Sequence, residues 1–160
     1  MCRLTMRPKA STSEQKYADL AAYYTDRAMK CCDHQLWPEA LTNFGSALES
    51  LLRVRFGSGG LLNDLIKKFD NDPFFNSIEL HSETGKECAT CYADRVRILR
   101  NSVHPDCWKR ATQKDVDDSK ILVVMLYHSL IVCDGQRIAD FNDAPDDTLQ
   151  RLEASSIMSL

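Results

Sequence analysis

The sequence predicts an all-α fold: an up-and-down helical bundle of four long helices plus a short one. Three observations carry that reading. Apolar residues recur at spacings of three and four along most of the chain, helix-start signals precede those runs and glycine or proline breakers follow them, and no stretch alternates convincingly as a strand would. The 160 residues, 44% hydrophobic and 27% charged, suffice for one domain with a substantial core.

The elements follow in order. Residues 1–10 read as a disordered N-terminus, residues 11–140 as the bundle domain and residues 141–160 as a polar tail, within which 146–156 forms only a weak helix. Ser11-Thr12-Ser13-Glu14 has capping-box spacing, and Tyr17, Leu20, Ala21, Tyr24, Ala28 and Cys31 then mark one face of a first helix ending near Asp33-His34. Trp37-Pro38 restarts the chain, because proline suits the first helical turn, and Leu41, Phe44, Ala47, Leu48, Leu51 and Leu52 carry a second helix to Phe56. Gly57-Ser58-Gly59-Gly60 stops it and reads as a flexible link. Leu61 to Phe69 is a short third helix, broken by Asp70-Asn71-Asp72-Pro73, after which Phe74, Phe75, Ile78 and Leu80 dock a loop on the core. Thr84-Gly85-Lys86-Glu87 has the spacing of a second capping box and is expected to open a helix that runs to Pro105. Thr112-Gln113-Lys114-Asp115 is a third start signal, for a last helix from about Val116 to Ile138. Its run from Ile121 to Cys133 is apolar nearly all round, which suits a bundle centre or a subunit interface.

Composition excludes several function classes. The net charge of −3 gives no general attraction to polyanions, so any nucleic-acid contact requires a local basic patch. Between Arg95 and Arg110 there is one: Arg95, Arg97, Arg100, Lys109 and Arg110 face Asp106 alone, a net +4. The N-terminus lacks the apolar core of a signal peptide, and the Ile121–Cys133 run is too short for a bilayer, which needs about 20 residues. A cytoplasmic protein without a membrane span is expected. Seven cysteines, an odd number, fit reduced thiols better than a disulfide framework, and most suit small core positions.

The stretch Arg97-Ile98-Leu99-Arg100-Asn101-Ser102-Val103-His104-Pro105 concentrates the chemistry. At about 100° per residue, Arg97, Arg100 and His104 share roughly one third of the helix circumference, beside an apolar stripe of Tyr92, Val96, Leu99 and Val103. A histidine there equally suits a plain helix-end role, since cations are favoured at helix C-termini. Other constellations are weaker. Cys88 and Cys91 with His104 and Cys107 outline a zinc site, but one helix would hold the pairs about 20 Å apart at its rise of 1.5 Å per residue. No metal site is assigned, and Cys88 and Cys91 are expected on the helix's apolar stripe. Cys31-Cys32, His81 and His128 carry no site, and the glycines at 57, 59 and 60 lack a Walker-type ending.

The run Ala40-Leu41-Thr42-Asn43-Phe44-Gly45-Ser46-Ala47-Leu48-Glu49-Ser50-Leu51-Leu52-Arg53, the glycine link, Leu61-Leu62-Asn63-Asp64-Leu65-Ile66, Leu99 to Pro105 and the apolar last helix together resemble the HEPN superfamily. The resemblance spans about residues 15 to 138. It implies a helical bundle with an arginine, four to six residues, and a histidine. His104 matches the histidine and Arg97 gives the six-residue spacing, whereas Arg100-Asn101 looks like the family's Arg-Asn pair at a shorter spacing. Glu49 matches an acidic position that orients an arginine across the bundle.

What the resemblance implies is a metal-independent endoribonuclease or RNA-binding toxin or defence protein, needing no cofactor. The RNA 2′-OH is the nucleophile, His104 the general acid or base, and Arg97 or Arg100 the phosphate ligand with Asn101 beside it; Arg95, Lys109 and Arg110 are candidate RNA contacts. A homodimer that joins two motifs in one cleft is expected. The alternative is a non-catalytic helical dimerisation or protein-interaction module, including one paired with a nucleotidyltransferase-type antitoxin.

Overall fold

The structure is a computed structural model, which describes residues 12–76, 79–82, 85–101 and 110–132. The expected N-terminal and C-terminal tails, the helix end at Pro105 and the stretch from Cys133 to Ile138 lie outside the described residues. The described part is mostly helical, with α1 at Thr12–Asp33, α2 at Trp37–Phe56, α3 at Leu62–Asp70, α4 at Pro73–Asn76, α5 at Ala89–Asn101 and α6 at Gln113–Tyr127. Among the described residues no helix is long and apolar enough to cross a membrane.

α2 occupies the middle. Ala40, Leu41, Phe44, Gly45, Ala47, Leu48, Ser50, Leu51 and Leu52 are all buried, and α1, α3, α5 and α6 pack around it. Its neighbours approach closely where side chains are small: Ala21 and Ala28 of α1 are fully buried seven residues apart on one face. The buried serine and threonine hydroxyls need no partner from another helix. Thr25 donates to the Ala21 carbonyl at 2.7 Å, Ser50 to Ser46 at 2.9 Å and Ser129 to Met125 at 2.7 Å, while Thr42 and Ser46 repeat the pattern along α2.

α1 and α2 are joined by three residues. The Leu36 amide donates to the Cys31 carbonyl and the Gln35 amide to Cys32, each at 2.9 Å, with Gln35 at φ 57°. This is a Schellman ending, which satisfies the last carbonyls of α1 by turning one residue left-handed. Glycine is the usual occupant because a Cβ makes that conformation costly.

Two expectations about α2 and its surroundings need correction. The link after Phe56 is not loose: Gly57 takes φ 83°, and Arg53 reaches back to donate to the Ser58 carbonyl at 2.6 Å and the Gly60 carbonyl at 3.1 Å. The guanidinium lies 5.8 Å from the Tyr17 ring as well, so one side chain ties the link to α1 and α2. Beyond it, Leu62, Leu65, Ile66 and Phe69 bury the inner face of α3, and Phe75 of α4 packs against Phe69 with centroids 4.5 Å apart and ring planes tilted by 42°.

The larger correction concerns Gly85 to Glu87; Thr84 lies outside the described residues. In place of a helix start, Glu79–Ser82 (β1) and Gly85–Cys88 (β2) form an antiparallel hairpin in which Ser82 faces Gly85 and Glu79 faces Cys88. The capping-box spacing was misleading because Gly85 sits where the first helical turn would need a helix former, and glycine costs about 1 kcal/mol there. Helix α5 begins only at Ala89.

α6 starts as expected. Thr112 accepts from the Asp115 amide at 3.3 Å and Asp115 accepts from the Thr112 amide at 3.0 Å, a reciprocal capping box. Leu122 to Leu126 are five consecutive buried residues, so this part of the apolar run is covered within a single chain; Ile121 at 43% exposure is not. From His128 to Val132 the helix widens into a π turn.

Replacing Gln35 with glycine is expected to stabilise the protein by about 1 kcal/mol, because it relieves the left-handed residue of the Schellman ending. Urea unfolding would show a raised midpoint; a lowered one would mean the Gln35 side chain makes a compensating contact.

Candidate functional site

The arginines of α5 leave the helix in three directions. Their spacing decides this: Arg95 and Arg97 are two residues apart and lie on nearly opposite sides, whereas Arg97 and Arg100, three apart, are neighbours. Each meets a carboxylate. Arg95 is held between Glu87 of β2, at 2.5 Å, and Asp118 of α6, at 3.2 Å, with its guanidinium 5.1 Å from the Tyr92 ring. Burial pulls the Arg95 guanidinium down, but the two carboxylates outweigh it and the net shift is upward. Arg97 donates through Nε at 2.8 Å and Nη2 at 2.7 Å to one oxygen of Asp94, a turn earlier on the same helix.

Arg100 is different because its partner comes from α2. Its Nη1 donates to Glu49 Oε2 at 2.7 Å, while Glu49 Oε1 accepts from Arg53 Nη2 at 2.7 Å. One carboxylate thus bridges two guanidiniums. Partial burial pushes the Glu49 carboxyl up, but hydrogen bonds and charge from Arg53 and Arg100 prevail and its pKa falls below the ordinary value.

Gly45 makes this bridge possible. A Cβ built at position 45 would lie 2.6 Å from Arg100 Cδ and 2.9 Å from its Cβ and Cγ, so the arginine stem lies directly on the α2 backbone. Only hydrogen leaves room for it.

The positive patch counted from the sequence is therefore largely neutralised among the described residues. Asp94, Glu87, Asp118 and Glu49 supply the opposing charges, three of them from outside the α5 segment. Arg95 is directed towards the hairpin and α6 and does not join Arg97 and Arg100. Asn101 is exposed as the last residue of α5, and Arg110 is exposed just ahead of α6. His104 and Lys109 lie outside the described residues. Cys88 and Cys91, expected on the apolar stripe, are exposed instead: α5 starts too late to carry Cys88, and Cys91 lies off the buried face of Ala89, Tyr92, Ala93, Val96 and Leu99. Among the described residues no three His, Cys, Asp or Glu side chains cluster to hold a metal ion.

Sequence reasoning missed Gly45, Arg53, Glu87, Asp94 and Asp118. Glu49 with Arg53 and Asp94 with Arg97 have helical i,i+4 and i,i+3 spacing, a signal that was there to be read. Glu87, Asp118 and Gly45 act through tertiary contacts. No protein-family model, curated protein or solved structure matches this chain.

Gly45→Ala is expected to cost about 1–3 kcal/mol by overpacking against the Arg100 stem, measured by chemical denaturation. Glu49→Gln tests the bridge through pH. Because the folded pKa is depressed, the carboxylate's stabilisation is present above the ordinary glutamate range and is lost as pH falls through the lower folded value. The variant should be about 1–2 kcal/mol less stable at neutral pH, with the gap from wild type closing in acid; a gap independent of pH would mean the carboxylate charge plays no part.

Proposed function

We propose that the end of α5 binds the phosphodiester of RNA and that the protein is a metal-independent endoribonuclease of the HEPN kind. The observation that supports this reading is the difference between the two candidate arginines. Arg97 has Nε and Nη2 both on Asp94, which fills the edge of the fork that a phosphate would take. Arg100 gives Nη1 to Glu49, and among the described residues its Nε and Nη2 hydrogens have no acceptor. Arg100 is then the phosphate ligand, and Glu49 its positioning residue.

In the proposed reaction the RNA 2′-oxygen attacks phosphorus, the bond to the 5′-oxygen breaks, and a 2′,3′-cyclic phosphate and a 5′-hydroxyl result. His104, four residues beyond Arg100, takes the proton from the 2′-OH or returns one to the leaving oxygen. The guanidinium carries the charge that develops on the phosphate oxygens, and it remains protonated throughout. Asn101 is next in the chain and supplies an amide to the same phosphate. One such set is a sparse catalyst, so the reading includes a homodimer with two sets in one cleft.

A second reading, a non-catalytic interaction module, draws on the carboxylates that offset Arg95, Arg97 and Arg100, and on Ile98, which is 50% exposed between Arg97 and Leu99. It includes pairing with an antitoxin-type protein.

RNA cleavage in the presence of a chelator separates the two. Arg100→Ala should lower the rate by about a hundredfold or more, and His104→Ala likewise, with Arg97→Ala much closer to wild type. Wild-type protein that leaves RNA intact, or cleavage indifferent to Arg100 and His104, would overturn the catalytic reading.

A further inference from the structure

We infer that Cys88 and Cys91 form a dithiol that exchanges with small-molecule disulfides, closing to an intramolecular disulfide at the junction of the hairpin and α5. The two residues reach one another from different elements: Cys88 ends β2, and Cys91 is the third residue of α5. Their Sγ atoms lie 2.6 Å apart, against a bonded separation of about 2.05 Å, so closure needs little movement. Both thiols are exposed, which gives a reagent access. Cys31 and Cys32 differ, being half-buried on α1 with thiols that burial pushes up.

Order of attack follows from the local chemistry. The hydrogen bond with Cys88 is the largest cause pushing the Cys91 thiol up, with desolvation next and the nearby Glu87 charge adding to it. Cys91 therefore holds its proton more firmly than an ordinary thiol, and Cys88, at the junction of β2 and α5, is assigned the first attack. A thiolate formed next to the first turn of a helix is favoured by the amides of that turn. Glu87 would oppose that charge, but its carboxylate is held by Arg95.

The exchange balances without any further reagent. The Cys88 thiolate attacks one sulfur of the small disulfide, whose S–S bond breaks and releases one thiol after protonation. Cys91 then loses its proton and attacks Cys88 Sγ, breaking the mixed disulfide and releasing the second thiol. The protein is oxidised by two electrons and the small disulfide is reduced by two.

Oxidised glutathione serves as the probe on the reduced full-length protein, followed by alkylation and tryptic digestion. Cleavage after Lys86 and Arg95 places both cysteines in the peptide 87–95, with Cys31, Cys32 and Cys107 on other peptides. That peptide should appear two hydrogens lighter and resistant to alkylation, at about tenfold less oxidised glutathione than the same protein in urea requires. In Cys91→Ser the mixed disulfide with glutathione should persist on Cys88, and in Cys88→Ser modification of Cys91 should be about tenfold slower. Equal oxidation of folded and urea-unfolded protein would overturn the inference. So would a wild-type peptide 87–95 that remains doubly alkylated, or one joined to Cys107.

Discussion

The constraint on which this structure rests is the burial of α2. A helix with nine buried residues over twenty positions must be enclosed by its neighbours, and α1, α3, α5 and α6 do so. Their positions follow from what α2 presents to each. Small buried residues, Ala21 and Ala28, mark the α1 side of that enclosure, the leucines and Phe44 of α2 are buried in the interior, and Gly45 admits the stem of an arginine. The hairpin and α4 close the margin by burying Leu80 and Phe75. The fold thus places α5 before any chemistry at α5 is considered.

The electrostatics of α5 is the consequence. Arginines gathered on one short helix repel one another, and the fold answers with carboxylates drawn from α2, β2, α6 and α5 itself. These pairs are partly exposed, so each contributes modestly to stability, typically about 1 kcal/mol or less. Their larger effect is geometric. A guanidinium fixed at one nitrogen presents its remaining edge in a set direction, which a free surface arginine does not. On the proposed reading, an anionic ligand arriving there would meet a fork whose direction Glu49 has already set.

Much of the helical framework was legible in the sequence, because it depends on local signals. The apolar spacing of Leu41, Phe44, Leu48 and Leu51, the Trp37-Pro38 start and the Thr112–Asp115 capping box each act within a few residues of themselves. The hairpin was not legible. Glu79 to Ser82 and Gly85 to Cys88 have few β-branched or aromatic residues and little alternation, and their pairing is a relation between two segments that neither displays alone. The site divides the same way. Arg100 was identifiable from the Arg97 to His104 pattern, and Glu49 through the family resemblance. The carboxylates that face Arg95, and the need for glycine at position 45, arise from helix contacts that no single segment encodes.

The hydroxyl chain along α2 and its counterparts in α1 and α6 have one more implication. Thr25, Ser50, Ser119 and Ser129 each donate to a carbonyl four residues earlier, inside their own helix. A hydroxyl used in that way carries no information about which helix should lie alongside. Threonine and serine are therefore silent in the recognition between helices, and their side chains act there as small apolar spacers. Registry is left to shape and to the few ion pairs that cross from one helix to another. In that division of labour, the Glu49–Arg100 pair is one of the marks by which α2 and α5 find a single alignment out of several that an apolar seam would tolerate.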